Sequence, residues 1–208
     1  MIITISEKKV RKELAEAQAR LQEYGERRTD LEGIGRCLHW LKDPQAVDYF
    51  RRAAQVAPDP RGPDAGNAIW MGTIWGFAGE PTKATKRLQQ AYQIATQQAS
   101  TGGLHGYIHL IKTCVLLGYD AEAQTHVATL HARGDQVPEL EALGILAQAR
   151  QNQQIGLAQA AVDRLATLIR RERWQLSATR APTPWDWYEI ALRLAKDLGA
   201  DIPEEALP

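Results

Sequence analysis

Cysteine is scarce in this chain. Cys37 and Cys114 are the two such residues among 208, and they lie far apart in sequence. That excludes a disulfide framework and a cysteine-rich metal knuckle, and it suits two free thiols in a reducing compartment. Long apolar runs are missing too. No stretch reaches the roughly 18 residues that a membrane span needs. The opening MIITISEKKVRKELAEAQ has no charged leader followed by an apolar run, so it does not read as a secretory signal. Net charge is absent, with 25 Lys and Arg against 25 Asp and Glu. With it goes the chain-wide basic footprint of a nucleic-acid binder. The expectation is a soluble, cytoplasmic protein that engages neither nucleic acid nor membrane.

Catalytic signatures are lacking as well. No G-x-S-x-G, no Walker A and no G-x-G-x-x-G opening a βαβ unit occurs. His105 and His109 stand four apart, but HGYIH has no glutamate where an HExxH zinc helix carries one. His126 and His131 are five apart, a poorer pairing. Glu139 and Glu141 point to different helix faces. Asp186 and Glu189 can share a face, but on a terminal helix. Cys114 sits in the apolar run KTCVLLG, where burial is expected. No catalytic residue, metal or cofactor is expected.

Strand signals are confined to MIITI, and nearly everything else repeats at three and four residues. A first helix is expected over 6–25, capped by Ser6 and stopped at Gly25. Its polar face would be solvated and carry Lys9, Arg11, Lys12, Glu13, Glu16 and Arg20. Asp43-Pro44, Glu80-Pro81, Pro138 and Thr183-Pro184 mark further helix starts, and Asp120 is expected to cap another. The segment 58–67 reads as a rigid polar connector. Gly72 and Gly76 read as close-packing positions, and the acidic tail DIPEEALP as frayed. About ten helices result.

Four apolar triads share one internal spacing. They are Ala46, Phe50 and Ala53; Ala84, Leu88 and Ala91; Ala123, Val127 and Leu130; and Ala158, Val162 and Leu165. They recur after 38, 39 and 35 residues, each behind another apolar helix. Such a period marks stacked helical hairpins, because one hairpin cannot bury both of its apolar faces alone.

This pattern resembles the tetratricopeptide repeat family over about residues 28–170. Gly72 and Trp75 match the first helix of a repeat, and Ala84, Leu88 and Ala91 match the second. Ala46, Phe50, Ala53 and Pro58 match a second helix. Ile34, Ile111 and Leu146 depart by standing where a small residue is expected, and the period exceeds the family's 34 residues. The resemblance implies an all-α fold, a right-handed α-α superhelix of stacked antiparallel hairpins. It would form one domain over 1–208, closed by a capping helix over about 183–199. It also implies a concave groove lined by the first helices.

In that register Gly35, His39, Thr73, His105, Lys112 and Arg150 line the groove. The expected function is an adaptor that binds a protein or peptide partner there, acidic where it meets the basic side chains. Six tryptophans are present, and Trp185 and Trp187 flank Asp186. One of the two is expected to be partly exposed, with Trp187 as an anchor for a partner or a homo-oligomer. Lys112 and Arg150 are expected to stay in water, so that reversing both to Glu leaves the melting temperature nearly unchanged. The narrower alternative is a bacterial toxin-neutralising immunity or secretion-associated protein. The other alternative is an enzyme with a dispersed site in the groove, which a dense polar cluster around His105 and His109 would favour.

Overall fold

A computed structural model describes residues 2–3, 5–56, 64–178 and 181–208. Ten α-helices account for most of them, and no strand occurs among the described residues. They are α1 (Glu7–Tyr24), α2 (Arg28–Trp40), α3 (Ala46–Gln55), α4 (Ala65–Phe77), α5 (Pro81–Ser100), α6 (Leu104–Leu117), α7 (Asp120–Ala132), α8 (Pro138–Asn152), α9 (Ile155–Glu172) and α10 (Pro184–Asp197). No helix among the described residues is long and apolar enough to cross a membrane.

The helix boundaries follow local chemistry. Pro81, Pro138 and Pro184 stand in first turns, where the missing N–H has no intrahelical partner to lose. Gly25 and Gly118 adopt positive φ at helix ends. Thr183 and Asp186 close a capping box at the start of α10. Asp64 accepts a hydrogen bond from the Asn67 N–H and caps α4. The connector expected over 58–67 is shorter than that, since residues 65–67 already belong to α4; its residues 58–63, Pro58 included, lie outside the described residues.

Three starts differ from expectation. Ser6 holds the N-cap position without a side-chain cap bond. Asp43 accepts from the Gln45 N–H, so α3 begins at Ala46 rather than at Pro44. Asp120 lies inside the first turn of α7 instead of capping it.

Each helix packs on the next in sequence, and α4, α6, α8 and α10 also touch in succession. All four triads are buried, on α3, α5, α7 and α9. Side-chain bonds complete a circuit. Trp70 Nε1 on α4 donates to Glu32 on α2 at 2.8 Å, and Arg36 on α2 donates to Asp186 on α10 at 3.0 Å. The two ends of the helical array therefore meet.

That closure overturns several readings of the termini. Of the MIITI run, the described Ile2, Ile3 and Ile5 form no strand; the Ile3 N–H donates to the Tyr188 hydroxyl at 2.6 Å, and these isoleucines pack on the core. Glu13 is buried rather than solvated, and it accepts from the Ser177 N–H at 2.8 Å. The tail is not frayed. Ile202, Ala206 and Leu207 are buried, and Glu204–Ala206 forms a 3-10 turn. Trp185 is 3% exposed and Trp187 is 0% exposed, so neither tryptophan offers a free face.

Close helix crossings need glycine at two places. A Cβ on Gly106 of α6 would stand 2.4 Å from the Ala99 nitrogen of α5, and one on Gly72 of α4 would stand 2.7 Å from Leu88. Gly76 does not pack closely, since nothing lies within 4 Å of its Cβ position. Gly106→Ala should therefore cost about 3 kcal/mol, the upper end for overpacking, because backbone cannot move aside as a side chain can. Gly76→Ala should gain about 0.5–1 kcal/mol by lowering the entropy of the unfolded chain. Urea denaturation of both variants checks the pair; equal stabilities would contradict this assignment of the crossings.

Candidate functional site

Buried charge concentrates where α2 meets α10. Glu32 and Arg36 lie four apart on α2, so they share a face, and they are 0% and 1% exposed. The Arg36 guanidinium donates to both carboxylate oxygens of Asp186, at 3.0 and 3.1 Å. It also donates to Glu32 Oε1 at 3.0 Å and to the Ala178 carbonyl. Burial opposes its charge, but Asp186 and Glu32 outweigh burial and raise the Arg36 pKa above its ordinary value. Glu32 further accepts from the Ala181 N–H at 2.9 Å and from Trp70. Asp186 accepts from the Thr183 N–H and hydroxyl at 2.6 and 3.0 Å. A planar fork suits this arrangement, and lysine could not reproduce it.

One turn along, His39 Nε2 lies 3.0 and 3.1 Å from the two oxygens of Glu189. Arg193 donates to the same carboxylate at 2.9 Å. Burial pushes the Glu189 pKa up, but the His39 hydrogen bond and charge, together with Arg193, bring it below the ordinary value. The His39 ring also packs edge-on against Phe77, with centroids 5.4 Å apart.

The third link is Glu139 on α8. It accepts from Trp187 Nε1 at 3.0 Å and pairs with Lys112 Nζ at 2.9 Å, which joins α6, α8 and α10. Among the expected groove residues, the structure thus brings Lys112 and Trp187 onto one carboxylate and His39 onto α10. The others lie elsewhere. Thr73 is buried and donates to the Ile69 carbonyl of its own helix. Gly35 packs beneath Phe50. Arg150 pairs with Asp120 at 2.8 Å and donates to the Val115 carbonyl at 2.7 Å, so it clamps α8 to the α6–α7 turn.

Lys112 and Arg150 are therefore structural partners and not free solvated cations. Reversing them would set Glu against Glu139 and Asp120, and the expected neutral effect on melting is replaced by a loss of stability.

His105 is exposed and lines an open hollow of about 560 Å³ with Asp64, Gln97, Gln98, Thr101 and His109. Burial lowers the His109 pKa, with Asp64 acting in the opposite sense. Both cysteines are buried thiols. Burial and the Glu13 charge push Cys37 up to about 12, which leaves it unreactive at neutral pH.

Sequence reasoning missed Glu32 and Arg36, and it weighed Glu139 only as one half of a carboxylate pair with Glu141. A signal existed for the first two, since LEGIGRCL places one acid and one base at helical i, i+4 spacing within apolar surroundings. Asp186 and Glu189 were recognised as able to share a face, but not as the residues that hold α10 to α2. No protein-family model matches the chain, no curated protein matches it and no solved structure matches it.

Arg36→Met should destabilise the protein by about 3–5 kcal/mol, because two buried carboxylates lose their partner. Arg36→Lys should recover only part of that, as read by denaturant titration. Glu189 has a depressed pKa when folded, so its contribution is complete above the ordinary glutamate pKa of about 4.3 and is lost as pH falls through the folded value. The stability gap between wild type and Glu189→Gln should hence shrink on acidification, as read by melting temperature from pH 6 down to about pH 3. A constant gap would contradict the assignment.

Proposed function

We propose that the chain is a protein–protein interaction module of the cytoplasm, built as a tetratricopeptide-repeat-like right-handed superhelix. In this reading the inner face, formed by the first helix of each hairpin, recognises an acidic, aromatic-bearing helical segment. One observation carries it: the side chains of α10 meet α2 and α8 with that chemistry, setting Asp186 on Arg36 and Glu189 on His39 of α2 and Trp187 on Glu139 of α8. An amphipathic helix in a groove is a recurring mode of recognition, and a bidentate Arg–carboxylate pair fixes its register. A partner helix with the same pattern competes with α10 for the same donors.

The test uses the full chain, wild type and Glu189→Gln, as bait in lysate of the native host. A partner recovered in stoichiometric amount should bind the variant more tightly, because α10 then holds its place less firmly. A peptide spanning residues 183–199 should compete with that partner. A toxin among the captured proteins would select the narrower immunity reading. Failure to recover any partner with either bait, or a partner indifferent to the peptide, counts against recognition through the inner face.

The hollow beside His105 and His109 is the observation in favour of an enzyme with a dispersed site. Their imidazole resonances should shift on adding a pool of small metabolites if that reading holds, and stay fixed if it does not.

A further inference from the structure

A second cluster lies away from α10, at the turn between α6 and α7. Cys114 projects from α6. Glu122 and His126 follow on α7 at i, i+4 spacing, which sets them on one helix face. The thiol sulfur, a carboxylate oxygen and an imidazole nitrogen all lie within 4.8 Å of one another. The Cys114 Sγ to Glu122 Oε2 distance is 3.8 Å. We propose that Cys114, Glu122 and His126 form a zinc-binding site.

The donor set is the first argument. Zinc is borderline-soft and takes sulfur, imidazole nitrogen and carboxylate oxygen together, whereas calcium and magnesium take oxygen. Spacing is the second. Zinc bonds of about 2.3 Å to sulfur and about 2.0–2.2 Å to nitrogen and oxygen put tetrahedral ligand atoms about 3.4–3.6 Å apart. The present separations reach that with side-chain adjustment alone.

Orientation of the ligands is the third argument. The Tyr92 hydroxyl donates to Glu122 Oε2 at 2.7 Å, and the Tyr92 ring packs edge-on against Tyr119 at 5.5 Å. The His126 ring packs against Tyr107 at 5.9 Å. Outer contacts of this kind aim metal ligands. The turn is itself fixed, with Gly118 at φ 79° and the Tyr119 N–H bonded to the Cys114 carbonyl at 2.8 Å.

On binding, the Cys114 thiol loses its proton to solvent and the thiolate bonds to zinc, while His126 ligates as neutral imidazole. Three protein ligands leave a fourth position. Glu122 is exposed, which leaves the fourth position open to a solvent water on binding.

Cobalt(II) is the probe, added to the full chain after dialysis against a chelator. Wild type should bind one cobalt per chain with a thiolate-to-cobalt charge-transfer band, release one proton, and lose the band on adding zinc. Cys114→Ser should abolish the band. Cys37→Ser should leave it unchanged. His126→Gln, at a half-buried position, should keep the wild-type melting temperature and weaken binding at least tenfold. Tyr92→Phe should weaken it roughly 10–100-fold, as loss of an outer contact does. The proposal is overturned if wild type shows no charge-transfer band at tenfold excess of cobalt. It is equally overturned if the band survives in both Cys114→Ser and His126→Gln.

Discussion

The Arg36 guanidinium governs the arrangement of this molecule. It is a permanent charge in a buried position, and it is tolerable there only with its fork fully occupied. Glu32 comes from its own helix, but Asp186 and the Ala178 carbonyl come from the other end of the chain. A buried charge of this kind gives modest net stability and a severe penalty for every arrangement that leaves it unpaired. The placement of α10 on α2 is specified by that penalty as much as by apolar contact.

Apolar packing brings the two ends within reach. Small residues at the helix crossings, Ala84, Ala123, Ala158 and the two close-packed glycines, let successive helices approach, and the bulkier triad members fill the space between them. Close packing leaves little freedom for this geometry to relax. The polar bonds of α2, α8 and α10 then fix which side chain meets which. Glu139 illustrates the division. Its helix is placed by Leu140, Leu143 and Leu146, while its carboxylate receives Trp187 from one neighbour and Lys112 from another.

The α6–α7 turn concentrates a different chemistry. Arg150 secures it from α8 through Asp120 and the Val115 carbonyl, which holds the ends of both helices. On this fixed turn the thiol of one helix faces the carboxylate and imidazole of the next. Residues that would be separate and unremarkable on isolated helices become a donor set because the turn cannot splay.

The sequence by itself determined the helices. Periodicity, prolines in first turns, glycines at helix ends and the Thr183–Asp186 box are local signals, and they place the ten helices to within a few residues. The buried triads were legible for the same reason, since their spacing is a property of one helix face. Tertiary structure alone decided where the faces go. That Trp187 is buried, that Lys112 and Arg150 are paired, and that Asp186 meets Arg36 all depend on contacts between residues 27 to 150 positions apart. No local pattern encodes such partners. A polar residue on a helix reads as solvent-facing until another helix arrives to accept its proton or share its charge.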